Sequence, residues 1–168
     1  MDRQPLQIDP IDAAMKHWES HGWHEAAPGM GVLTAVTRVQ QIFAAQVASV
    51  LRPFSLTFAR YEVLMLLMFS SRGSLPLGTM GERLQVHPAS VTNAVSRLEQ
   101  DGLIRRLPNP SDGRSALAEL TPEGRELALA ATERLNAEVF RHVALSRNDL
   151  DQVYGLLKEL RRAAGDFV

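Results

Sequence analysis

A mainly α-helical chain with one small two-stranded β wing is the fold class this sequence predicts, and three observations carry that expectation. Apolar residues recur at helical spacing over most of the 168 residues. A three-residue turn, Gln85-Val86-His87, separates two short helical stretches. The run PNPSDGRS (108–115) then punctuates two short extended segments with the residues of a tight turn.

The elements follow in chain order. Residues 9–25 read as a short helix broken near Gly22, with Pro28, Gly29 and Gly31 interrupting the pattern after it. A long helix is expected over 32–52, where Val32, Val36, Val39, Phe43, Val47, Val50 and Leu51 keep helical spacing until Pro53. A third helix, about 57–70, is apolar nearly all round and is expected to be the buried centre, with Met65, Met68 and Phe69 in the core. Residues 70–76 read as a loop. Two short helices follow at 78–84 and 88–101; Pro88 suits a first helical position and Gly102 a stop. Strands at 103–107 and 115–120 close on the turn. Thr121-Pro122-Glu123 opens a helix expected to reach about Leu145, and Ser146-x-x-Asp149 opens a last one with Leu150, Val153, Leu157 and Leu160 on one face.

Helix, turn, helix and hairpin in that order describe a winged helix-turn-helix. The implied division is an N-terminal extension (1–31), a long helix (32–54), the winged helix-turn-helix (55–121) and C-terminal helices (122–168).

Charge and composition narrow the function. Cysteine is absent, which excludes disulfides and thiolate metal sites and fits a reducing compartment. The longest apolar run, Val63 to Phe69, is far shorter than the roughly 20 residues a membrane span needs, and MDRQPLQIDPID is not a signal peptide. A cytoplasmic, nucleoid-associated protein with no membrane partner is expected. Net charge is −1, but its distribution is uneven. Residues 1–31 hold two basic against five acidic side chains, and 32–75 hold four against one. No glycine-rich phosphate loop, nucleophile elbow or HExxH run occurs, so neither a catalytic constellation nor a cofactor is expected.

The second helix of the pair, HPASVTNAVSRLEQDG, sorts by face. Val91, Ala94, Val95 and Leu98 form an apolar stripe; Ser90, Asn93 and Arg97, flanked by Thr92 and Ser96, form the opposite side. Short hydrogen-bonding side chains let a helix sink into a major groove, where Asn reaches an adenine edge and Arg a guanine edge. Joined to a hairpin bearing Arg105, Arg106, Asp112 and Arg114, that face reads as DNA-binding. Arg114 would enter the adjacent minor groove, and Asp112 would hold the loop by pairing with an arginine. Arg105 and Arg106 would divide between phosphate contact and an internal salt bridge.

Four pieces, LTFARYEVLMLL (56–67), GERLQVHPASVTNAVSRLEQDGLIRR (81–106), DGR (112–114) and LTPEG (120–124), resemble the MarR family of bacterial winged-helix regulators in order and spacing, over roughly residues 32–164. The resemblance implies a homodimer, with 32–54 as a dimerisation helix and 122–168 as C-terminal dimerisation helices, bound to double-stranded DNA at a palindromic operator, and a small-molecule effector. It places Ser90, Thr92, Asn93 and Arg97 at bases, Pro88 and Ala89 near the backbone, and Asp112 and Arg114 in the wing. His87 stands where the family often has a capping Ser. Residues 9–25 are similar to the extension of a urate-responsive subfamily, which implies Trp18 as a ligand contact and an acidic residue about where Glu62 stands. Arg60 and Glu62, a base and an acid near Trp18 and Trp23, either line a pocket for a small aromatic or anionic effector or form a plain surface pair. Alternatives remain open: a winged-helix protein-interaction module, or a metal- or pH-responsive regulator using His17, His21 and His24, although Gly22 separates His24 from the other two.

Overall fold

The computed structural model describes residues 6–110 and 115–168. The elements are α1 (Pro10–Ser20), α2 (Ala27–Leu51), α3 (Phe58–Met68), β1 (Ser74–Pro76), α4 (Leu77–Leu84), α5 (Pro88–Gln100), β2 (Ile104–Pro108), β3 (Ala116–Leu120), α6 (Pro122–Glu138) and α7 (Arg147–Ala163). Asp9 caps α1 by accepting from the N–H of Ile11, and the chain turns at Gly22, φ +84°.

Three expectations on element boundaries are corrected. First, α2 begins at Ala27, five residues earlier than its periodicity indicates. Pro28 falls in the first turn, where no backbone donor is needed, and Gly31 makes room for α1. A Cβ at Gly31 would lie 2.4 Å from the sulfur of Met15. Second, residues 74–76 are a strand rather than loop. β1 pairs antiparallel with β3, giving a three-stranded sheet of order β1-β3-β2 in which Leu75 faces Ala118 and Arg105 faces Glu119. Third, α6 ends at Glu138 because Val139 leaves helical geometry at φ −125°, ψ −63°. A single 3₁₀ turn follows, and the Ser146 hydroxyl then accepts from the N–H of Asp149 to start α7.

The core sits under the helix-turn-helix. Val63, Leu64 and Leu67 of α3 pack with Met80 of α4, Val91, Val95 and Leu98 of α5, Ile104 and Ala118 of the sheet, Leu51 of α2 and Leu135 of α6. Met65 is half-buried against it, whereas Phe69, expected inside, is 77% exposed, because α3 stops at Met68 and Phe69 is its cap.

Thr121 stitches α5 to α6. Its hydroxyl donates to the carbonyl of Gly102 (2.9 Å) and accepts from the N–H of Gly124 (3.0 Å). This brings Gly124 so close to Leu103 that a Cβ there would lie 2.0 Å from the Leu103 carbonyl oxygen, so the LTPEG glycine is a packing requirement.

The flanking helices are different. α7 buries no residue, and Val32, Leu33, Val36, Val39, Ile42 and Phe43 of α2 are all exposed. A groove of about 680 Å³ runs between α2 and the α6–α7 connection, lined by carbon from Val36, Val39, Phe43, Phe140, Val153 and Leu157. No single helix among the described residues is long and apolar enough to cross a membrane.

Candidate nucleic-acid interface

The turn that presents α5 is built from backbone. α4 ends with Gln85 in the left-handed region (φ 54°), and the N–H of Val86 returns to the carbonyl of Gly81 (3.2 Å). The His87 ring takes the capping role: its Nδ1 accepts from the N–H of Ala89 at 3.2 Å. Pro88 then opens α5.

With Val91, Val95 and Leu98 fixed in the core, the opposite side of α5 faces outward. Ser90, Thr92, Asn93 and Arg97 are exposed and Ser96 is half-buried. The Thr92 hydroxyl donates to the carbonyl of Pro88 (3.1 Å). Thr57, Arg60, Ser90, Asn93, Arg97 and Asp101 line a polar depression of about 630 Å³ along this face.

Both wing-strand arginines have acidic partners, Arg105 at the exposed face of the sheet and Arg106 against α5. Arg105 pairs across the sheet with Glu119 and stays 67% exposed. Arg106 turns toward α5 instead: Nη2 donates to the Ser96 hydroxyl (2.6 Å), and Nε lies 3.4 Å from the Glu99 carboxylate, which also accepts the backbone N–H of Arg106. Ser96 and Arg106 thus join β2 to α5. The sequence carries no sign of this beyond the i, i+3 spacing of Ser96 and Glu99, since the partner strand lies across Gly102. Asp112 and Arg114 lie outside the described residues.

The four candidate ligand contacts are held by different neighbours. Trp18 and Trp23 meet edge-to-face at 5.2 Å between centroids, with His21 stacked on Trp23 at 5.4 Å. Arg60 is bound elsewhere, 3.4 Å from Asp101 at the end of α5, so its acidic partner is Asp101 rather than Glu62. Burial alone pushes the Glu62 carboxyl above its ordinary range. Nδ1 of His21 donates to the carbonyl of His17 (2.7 Å), and no three His, Asp or Glu side chains converge on a metal position among the described residues.

A half-exposed helix of short hydrogen-bonding side chains, seated on a core and braced by a hairpin, is the build of a winged helix-turn-helix transcription regulator. The MarR family profile matches residues 56–116. The chain is 33% identical over 121 residues, 69% of its length and 70% of the other's, to the uncharacterized HTH-type transcriptional regulator YhbI of Bacillus subtilis (strain 168). It is 47% identical to Sco5413, a MarR family transcriptional regulator from Streptomyces coelicolor, with a TM-score of 0.76 over 83% of this chain and 97% of that one. It is 25% identical to CouR from Rhodococcus jostii RHA1 bound to p-coumaroyl-CoA, with a TM-score of 0.68 over 77% and 90%. The chain belongs to the MarR family. Its relatives are transcriptional regulators, not enzymes.

Proposed function

We propose that this protein is a homodimeric repressor that binds a palindromic operator in double-stranded DNA and releases it when a small aromatic or anionic effector binds. The observation that carries the reading is the outer face of α5, where Ser90, Asn93 and Arg97 stand exposed at helical spacing over a buried apolar stripe. Arg97 reads a guanine edge and Asn93 an adenine edge, while Pro88 and Ala89 lie near phosphate. Arg105, exposed beyond its bridge to Glu119, serves the backbone, and Arg114 serves the minor groove. Ser96 and Arg106 act one step back, by holding the wing against the helix.

Two copies are needed because a palindrome offers two half-sites about 34–36 Å apart. The exposed apolar faces of α2 and α7 are too extensive for a free monomer surface and suit a self-complementary interface. Helices that set this spacing also provide the switch. An effector that prefers a dimer with the wrong spacing displaces DNA through a coupling of about 1–3 kcal/mol. Trp18 and Trp23 form the aromatic platform proposed for it.

The test is fluorescence anisotropy of the protein on its own upstream DNA and on a scrambled duplex, across a salt series. Preferential binding with a steep salt slope is the expected result. Equal, weak binding to both duplexes by protein refolded free of small molecules would overturn the reading.

A further inference from the structure

We infer that the C-terminal end of α7 is latched to the turn of the helix-turn-helix, and that Gln85, Arg161 and Asp166 are positioning residues for the recognition helix. The functional half of this inference rests on the DNA-binding reading above; the contact itself does not.

Two helix stops meet at this point. α7 ends in a glycine-terminated reversal: Gly165 adopts φ +76°, its N–H returns to the carbonyl of Arg162, and the N–H of Asp166 returns to that of Arg161. α4 ends in the same pattern, with Val86 returning to Gly81 and Gln85 to Glu82, but here the left-handed position holds glutamine. That position favours glycine, because a Cβ crowds the following carbonyl. Among the described residues only Ser55 and Gln85 are non-glycines at positive φ.

The Gln85 side chain accounts for its presence there. Nε2 donates to the backbone carbonyl of Asp166 (2.9 Å), and Oε1 accepts from Nη2 of Arg161 (3.2 Å). A carbonyl only accepts and a guanidinium only donates, so one orientation of the amide satisfies both. Arg161 is itself held, by the Asp166 carboxylate (2.5 Å) and by the Phe167 ring 5.3 Å from its guanidinium carbon.

Position gives the latch its consequence. Gln85 is three residues before Pro88, the first residue of α5, while α7 carries Val153 and Leu157 into the apolar groove against α2. α7 buries no side chain in its own subunit, so this polar junction fixes its far end. A shift of α7 caused by whatever fills the groove is delivered to the start of the recognition helix.

The experiment is amide hydrogen exchange on the full-length protein carrying Gln85→Asn or Arg161→Ala, with operator affinity measured on the same samples. Asn tolerates the left-handed backbone but is one methylene too short for the latch. Exchange at residues 86–90 and at 164–166 is expected to accelerate together, by about tenfold, in either variant. The double variant is expected to be no faster than the singles. Acceleration at the mutated end alone, or a uniform rise that includes Leu64 and Leu67, would overturn the latch. Coupled exchange with unchanged operator affinity would overturn its positioning role. Wild-type protein that ignores its operator would instead sink the DNA reading and leave the exchange result standing.

Discussion

The winged lobe and the helices that flank it are built from the same residue types and use them differently. In the lobe, Leu64, Leu67, Val91, Val95 and Leu98 are fully or almost fully buried within one chain. On α2 and α7, Val39, Phe43, Val153 and Leu157 sit at equally regular helical spacing, yet each remains about 40% exposed. Periodicity reports which face of a helix is apolar; it does not report whether that face is covered by the same chain. The lobe is complete alone, whereas the flanking helices present an unfinished core.

This contrast can be broken at several points. The largest effect is expected from Phe43→Asp, which puts charge into the groove without touching the lobe. Sedimentation velocity is expected to show a monomer, and operator affinity to fall by about 10²–10⁴ as the two half-sites cease to bind as a unit. A dimer with unchanged affinity would mean that the groove is not the interface. Gly124→Ala attacks the lobe instead. Its Cβ meets backbone rather than a movable side chain, so thermal denaturation is expected to show a loss of about 1–3 kcal/mol or more. Arg97→Ala leaves both cores intact and is expected to cost about 1–3 kcal/mol at one operator position, seen as relaxed base preference in a binding-site selection.

Glu62→Gln is the smallest and sharpest. Burial raises the folded-state pKa of Glu62, so the folded form holds its proton more firmly than the unfolded chain does. That contribution to stability is present below the ordinary carboxyl value of 4.5 and is lost as pH rises through the raised folded value. The glutamine variant is therefore expected to melt above wild type at pH 7 and to match it near pH 4. Equal melting temperatures at both pH values would mean that Glu62 is solvated.

Local signals were legible in the sequence and non-local ones were not. Thr121-Pro122-Glu123, Ser146-x-x-Asp149, Pro88 and Gly102 mark helix ends through chemistry contained within a few residues, and the structure has helix ends there. The outer face of α5 was likewise readable, because one helix carries both its buried and its exposed side. β1 was hidden because a three-residue strand exists only by virtue of β3, more than 40 residues on. The same limit applies to Arg106 and Ser96, whose partnership joins a strand to a helix, and to Arg60, whose acid is Asp101 rather than nearby Glu62. Phe69 was misplaced for a simpler reason: an apolar run outlasted the helix that buries it.

The sheet offers one more lesson. Below the wing turn, Nδ2 of Asn109 donates to the hydroxyl of Ser115 at 2.7 Å, where the paired region from Ile104–Pro108 to Ala116–Leu120 ends. That rung closes the hairpin before its tip begins. The end of the ladder is thereby tied by side chains as well as by backbone, so the register of β2 on β3 is held where the strands part.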